Sequence, residues 1–117
     1  MMKPISPRLH GIIDYLAVPL LIAAGPLSGF GGRAAQITST VAGAVLVIAA
    51  CTKYPPSLVK LVPLKVHRMI DVVLGLMFII YPHVFRFPEH SALLFFIVYG
   101  LLTLIVVFLT RWEPEKA

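Results

Sequence analysis

The residues of this chain best suited to chemistry are four polar side chains in two matched pairs. His10-Gly11-Ile12-Ile13-Asp14 recurs as His67-Arg68-Met69-Ile70-Asp71, 57 residues later. Each copy opens a long apolar run. In a helix, a His and an Asp four residues apart lie on one face, one turn apart. Polar side chains are costly inside hydrocarbon, so two such pairs point to a shared internal site or a shared structural bond.

The bland reading is a reciprocal bond, in which an Asp accepts from a His on its own or the facing helix. Interhelical polar contacts in membranes contribute about 0.6 to 2 kcal/mol each. An Asp in the first two turns also sits at the favourable end of the helix dipole. Three rival readings use the same residues. Two imidazoles and two carboxylates, from His10, Asp14, His67 and Asp71, offer a four-ligand shell for Zn²⁺ or another divalent ion, though no further ligands flank them. A haem held between His10 and His67 needs space that four short, closely packed spans do not leave. A proton or ion path would begin and end in one leaflet, because beyond Asp14 and Asp71 these helices offer only apolar groups, Tyr15 and Pro19. No cofactor is therefore expected.

Other residues add no chemistry. Ser6, Ser28 and Ser39 have no base placed to activate them, so no enzyme is expected. Gly29-Phe30-Gly31-Gly32 follows no strand and reads as a turn, not a phosphate cradle. His83 and His90 flank a short loop beside Glu89 and are read as solvated or interfacial. Cys51, the single cysteine, excludes an intrachain disulfide and reads as a small buried apolar residue.

Composition sets the solvent in which those pairs act. The 117 residues suffice for one domain, 1–117. Hydrophobic residues make up 59 % and charged residues 13 %, against about 25 % charged in a soluble domain. Mean hydropathy is +0.94. Such a chain is integral to a membrane. Its net charge of +5 sits at the ends of apolar runs, where it meets phospholipid head groups. No aromatic RNA-binding motif or sustained basic patch is present, so nucleic acid is excluded as a partner. The first apolar run is not read as a signal peptide, because it contains His10 and Asp14 and has an internal counterpart.

Four helices position the pairs. The first is predicted from about Arg8 to Ala24, kinked at Pro19 and ended by Gly25-Pro26. The second runs from about Ala34 to Thr52, with Ala35, Ser39 and Gly43 forming a small-residue face for close packing. Lys53-Tyr54-Pro55-Pro56 stops it. Residues 57–65 are amphipathic and lie along the membrane surface until Pro63. The third helix runs from about Val66 to Tyr81, with Pro82 at its end, and the fourth from about Ser91 to Thr110. Phe95 and Phe96 belong to a packing or lipid-facing surface, and Met69 and Met77 are fillers. Eight Lys and Arg residues (Lys3, Arg8, Lys53, Lys60, Lys65, Arg68, Arg111 and Lys116) share one side, against Arg33 and Arg86 on the other. This places both termini in the cytoplasm of a multi-pass inner (plasma) membrane protein.

The pairs are part of a longer duplication. At the same offset, Ile22 matches Ile79, Phe30 matches Phe87, Ala35 matches Ala92, Gly43 matches Gly100 and Ile48 matches Ile105. Pro26 and Pro82, and Thr52 and Thr110, match with a one-residue slip. The hairpin of residues 8–54 is thus repeated as 65–112. Two spans per repeat make the copies parallel, related by a pseudo-two-fold along the membrane normal. The expected fold is an all-α transmembrane four-helix bundle in which His10, Asp14, His67 and Asp71 meet at one depth.

This layout resembles the small bacterial membrane proteins with SPW repeats, in which each repeat is two transmembrane helices and a Ser-Pro-Trp motif closes the first. The equivalent places read Gly25-Pro26-Leu27 and Tyr81-Pro82-His83, which keep the proline and lack the Ser and Trp. The resemblance implies a membrane location and a four-helix fold, and supplies no catalytic residue. The expected role is structural or accessory. The expected partners are the lipid bilayer and either further copies of the chain or a larger membrane protein. The alternative is a metal- or cofactor-binding protein centred on the four polar residues.

Overall fold

In the computed structural model, which describes residues 3–55 and 57–113, four helices follow one another. They are α1 (Pro7–Ser28), α2 (Gly32–Cys51), α3 (Leu64–Val84) and α4 (His90–Leu109). Three of them, α1, α2 and α4, are long and apolar enough to cross a membrane. The remaining helix, α3, is 21 residues long and carries Lys65, Arg68 and Asp71 in its first two turns. At about 1.5 Å per residue, each helix is about 30 Å long, close to the thickness of a hydrocarbon core. Lys116, with the rest of 114–117, lies outside the described residues, as does Pro56.

The starts follow local rules. Ser6 caps α1, its hydroxyl accepting from the Leu9 N–H at 3.1 Å, and Pro7 takes the first turn, where no N–H is needed. Two of the expected ends are corrected. α1 continues through Pro19 and Pro26, and α3 continues through Pro82. A proline removes only its own N–H bond, and neighbouring helices in a membrane bundle tolerate the gap. The stop in α1 is Gly29, at φ 80°, whose N–H returns to the Gly25 carbonyl at 2.8 Å.

Residues 57–62 are the second departure. They form a strap folded back over the end of α2. The Leu58 and Val59 N–H groups donate to the Ala50 carbonyl, and those of Leu61 and Val62 to the Cys51 carbonyl, at 2.7 to 3.0 Å. The last carbonyls of a helix need donors, and here the chain supplies them itself. The end of α4 is served the same way. Ile5 donates to Leu109 and accepts from Arg111, as Val62 donates to Cys51 and accepts from Lys53. Single parallel bridges, Ile5 with Thr110 and Val62 with Thr52, mark the two equivalent places.

The helices pack as two hairpins, α1 with α2 and α3 with α4. α1 also touches α4. An apolar groove bordered by Ile37, Val73 and Met77 separates α2 from α3. The core at the loop end gathers Leu21, Phe30, Ala34, Phe78, Ala92 and Phe96. Phe78 stacks on Phe96 with centroids 4.7 Å apart. There the Gly31 N–H donates to the Glu89 carboxylate at 3.1 Å, tying one outer loop to the other. Met69 and Met77 are not fillers, being exposed with Leu16 and Phe108 on the outside of the bundle, where lipid is the solvent. Phe96 is a packing residue, 1 % exposed. Cys51 is only half-buried.

The small-residue face of α2 is displaced by one position. Ala34, Thr38 and Ala42 face the core, whereas Ser39 and Gly43 face outward. A Cβ on Gly43 would meet nothing within 4 Å, but one on Gly100 would come within 2.6 Å of the Gly75 carbonyl oxygen. The close crossing is therefore in α3–α4. In thermal unfolding of detergent-solubilised protein, Gly100→Leu is expected to cost about 1–3 kcal/mol through overpacking. Gly43→Ala should stay within about 0.5 kcal/mol of the parent. Equal effects from the two would contradict this packing.

Candidate functional site

At the other end of the bundle, α1 and α3 bring their first turns together. His10 and His67 are 1 % and 2 % exposed, and the Asp14 and Asp71 side chains 15 % and 13 %. The contacts between hairpins are short: His10 Nε2 lies 2.9 Å from Asp71 Oδ2, and His67 Nε2 lies 3.0 Å from Asp14 Oδ2. Within each helix the i,i+4 separations are 3.5 Å for His10–Asp14 and 3.1 Å for His67–Asp71. One ligand-type atom from each of the four side chains lies within 4.8 Å of all the others.

The other ring nitrogens are held across the hairpins too. His10 Nδ1 is 2.9 Å from Thr110 Oγ1, and His67 Nδ1 is 2.7 Å from Thr52 Oγ1. Each threonine lies at the far end of the opposite repeat's second helix. Each spends its only hydroxyl proton on the carbonyl four residues back, Thr52 on Ile48 at 2.6 Å and Thr110 on Val106 at 2.5 Å. Toward the imidazole it can only accept. Both Nδ1 atoms therefore carry a proton, and both Nε2 atoms face the carboxylates.

Two aromatic residues pack against the group, in the positions that follow the threonines by two. The Tyr54 hydroxyl donates to Asp14 Oδ2 at 3.1 Å. Its burial, reinforced by the Asp14 carboxylate, pushes the phenol well above the usual tyrosine range, so it remains a donor. Trp112 packs on His10 with centroids 4.6 Å apart, its indole N–H donating to the Val107 carbonyl at 2.9 Å. The Lys60 ammonium donates to the Tyr54 carbonyl at 2.8 Å, holding that corner in place.

Beyond the group, toward the middle of the bundle, lies a cavity of about 440 Å³ lined by all four helices. Its wall is apolar, with Leu20, Val45, Leu74 and Leu102, and its few polar groups beyond the His–Asp end include Tyr99 and Thr103. Asp71 Oδ2 lies within 3.1 Å of both Nε2 atoms, which leaves no room for a porphyrin plane between the imidazoles.

The structure thus brings together His10, Asp14, His67 and Asp71. It leaves His83 and His90 exposed at the far end. Sequence reasoning did not place Thr52, Thr110, Tyr54 and Trp112 at the site. The signal was present: Thr52 and Thr110, like Tyr54 and Trp112, stand 58 residues apart, one more than the histidines. That slip places the tail of each repeat against the head of the other. Tyr99 at the cavity wall gave no such signal.

The family model described as SPW repeat domain matches residues 8–110. No curated protein and no solved structure matches the chain.

Removing a threonine hydroxyl leaves a buried imidazole N–H without an acceptor, at a cost of about 1–3 kcal/mol. Thr52→Val and Thr110→Val are each expected to lower the unfolding free energy in detergent by that amount. Thr103→Val, whose hydroxyl donates to the Tyr99 carbonyl at 2.9 Å, should cost less. Equal losses at all three positions would contradict the assigned proton pattern.

Proposed function

The chain belongs to the SPW repeat family, and from that premise we propose a non-enzymatic, accessory membrane protein whose polar group locks two hairpins into one bundle. The observation that carries this reading is the crossed bonding. Each imidazole donates to a threonine of the other repeat and sits against the other repeat's carboxylate. Breaking the group would leave buried polar atoms in surroundings that lipid cannot solvate. Such a lock supports a passive scaffold better than a reaction centre, because each imidazole is held by a threonine and a carboxylate of the other repeat. The protein is read as multi-pass in the inner (plasma) membrane, with both termini and the Tyr54 corner in the cytoplasm. Support comes from the position of Lys3, Arg8, Lys53, Lys60, Lys65, Arg68 and Arg111 around the polar end. Its apolar exterior meets lipid and either further copies of itself or a larger membrane partner.

The test joins topology to stability. Reporter fusions at both ends should give cytoplasmic signals. His10→Ala and His67→Ala should each destabilise the purified bundle by about 2–4 kcal/mol, between the value of one interhelical bond and that of a broken buried pair. Termini on opposite sides, or histidine variants as stable as the parent, would overturn the reading.

A further inference from the structure

The crossed group leaves one atom unaccounted for. His67 Nε2 is fully buried, lies 3.0 and 3.1 Å from two carboxylate oxygens, and is aligned for a hydrogen bond with neither. A proton there would have no in-line acceptor. Charge raises the same question. With both Nδ1 protons fixed by Thr52 and Thr110, the protons on the two Nε2 atoms set the charge of the group, which is minus two when neither carries one. Either two more protons or one divalent cation neutralises it, and a cation does not need a separate line to each oxygen.

We propose that His10 Nε2, His67 Nε2 and one carboxylate oxygen each from Asp14 and Asp71 form a tetrahedral site for one divalent transition-metal ion of the Zn²⁺ type. The His–Asp separations are 2.9, 3.0 and 3.1 Å, with 3.5 Å from His10 to the second oxygen of Asp14, and one ligand atom from each of the four side chains lies within 4.8 Å of the others. Ligand bonds of about 2.0–2.1 Å at tetrahedral angles require edges of about 3.3 Å, so the short His–Asp edges open slightly while the longest separation closes by up to about 1.5 Å. Two imidazoles with two carboxylates form a donor set that suits Zn²⁺ and excludes ions preferring six oxygens. The surrounding shell fits as well. Metal-binding histidines characteristically donate their other N–H to a fixed acceptor, as both do here, and Tyr54 holds Asp14 in place. The partly exposed edges of Asp14 and Asp71 give an ion access. On this assignment each repeat contributes one His and one Asp, and the ion cross-links the hairpins. The inference rests on the reading of the group as a lock and adds the species that closes it.

The experiment uses the full chain without an affinity tag, stripped of metal and shown by circular dichroism and size exclusion to be folded and monodisperse in detergent. Zn²⁺ is then titrated calorimetrically, and Co²⁺ is followed by its visible d–d absorption. Saturable binding of one Zn²⁺ per chain, with intense tetrahedral Co²⁺ bands that Zn²⁺ displaces, is the expected result. Thr52→Val and Thr110→Val, which leave all four ligands in place, should each weaken binding about 10- to 100-fold. Asp14→Asn with Asp71→Asn, which keeps side-chain shape, should abolish it. No saturable binding to the folded parent would overturn the metal assignment and leave the lock standing if the histidine variants still destabilise the metal-free bundle. Binding retained by the folded double-Asn variant would also overturn it, by placing the metal elsewhere. Failure of the lock itself would be seen separately, as histidine variants that are stable without metal.

Discussion

The arrangement of this bundle depends on the impossibility of leaving imidazoles and carboxylates unpartnered in hydrocarbon. A hairpin carrying one His and one Asp takes the threonine acceptor of its imidazole from the other hairpin. Within α1 the His10–Asp14 separation is 3.5 Å, whereas the contact from His10 to Asp71 of the other hairpin is 2.9 Å. Solvation of these groups therefore requires the second hairpin. Apolar packing between helices provides little specificity in lipid, since lipid tails are as apolar as the side chains they replace. The polar group supplies the registration that apolar packing lacks: it fixes which end of α3 faces which end of α1, and at what depth.

The same logic extends to the backbone. The ends of α2 and α4 lie beside the polar group, and their final carbonyls are met by the strap at 58–62 and by Ile5. The segment before α1 caps the end of α4, while the segment before α3 caps the end of α2. Thr52 and Thr110 join the two levels, because each hydroxyl closes its own helix and receives an imidazole N–H. At the opposite end the bundle is held differently, by stacked aromatic rings around Phe96 and by the Gly31–Glu89 bond between loops. One end is specified by polar geometry, the other by shape.

Much of the fold was legible in the sequence. Apolar runs of bilayer length and the shared 57-residue offset gave four helices and a membrane setting. The meeting of His10, Asp14, His67 and Asp71 followed from the spacing and from the cost of isolating any of them. Helix ends at prolines were misread, because Pro26 and Pro82 forfeit a single hydrogen bond that the bundle can spare. The packing face of α2 was misread by one position, since Ala34–Thr38–Ala42 and Ala35–Ser39–Gly43 are equally small. Only the neighbours they meet distinguish them. The threonine and aromatic partners of the imidazoles were hidden in a one-residue slip whose meaning appears only when the repeats are crossed.

The central claim is that both internal imidazoles are fixed in one orientation by threonines of the opposite hairpin. The most direct measurement is nitrogen-15 spectroscopy of histidine-labelled protein in detergent micelles. His10 and His67 should each show a protonated Nδ1 protected from solvent exchange, with Nε2 perturbed by carboxylate or metal. The exposed His83 and His90 should exchange freely and serve as the internal reference. Four histidines with the same rapidly exchanging signals, or internal rings protonated at Nε2 alone, would contradict the account.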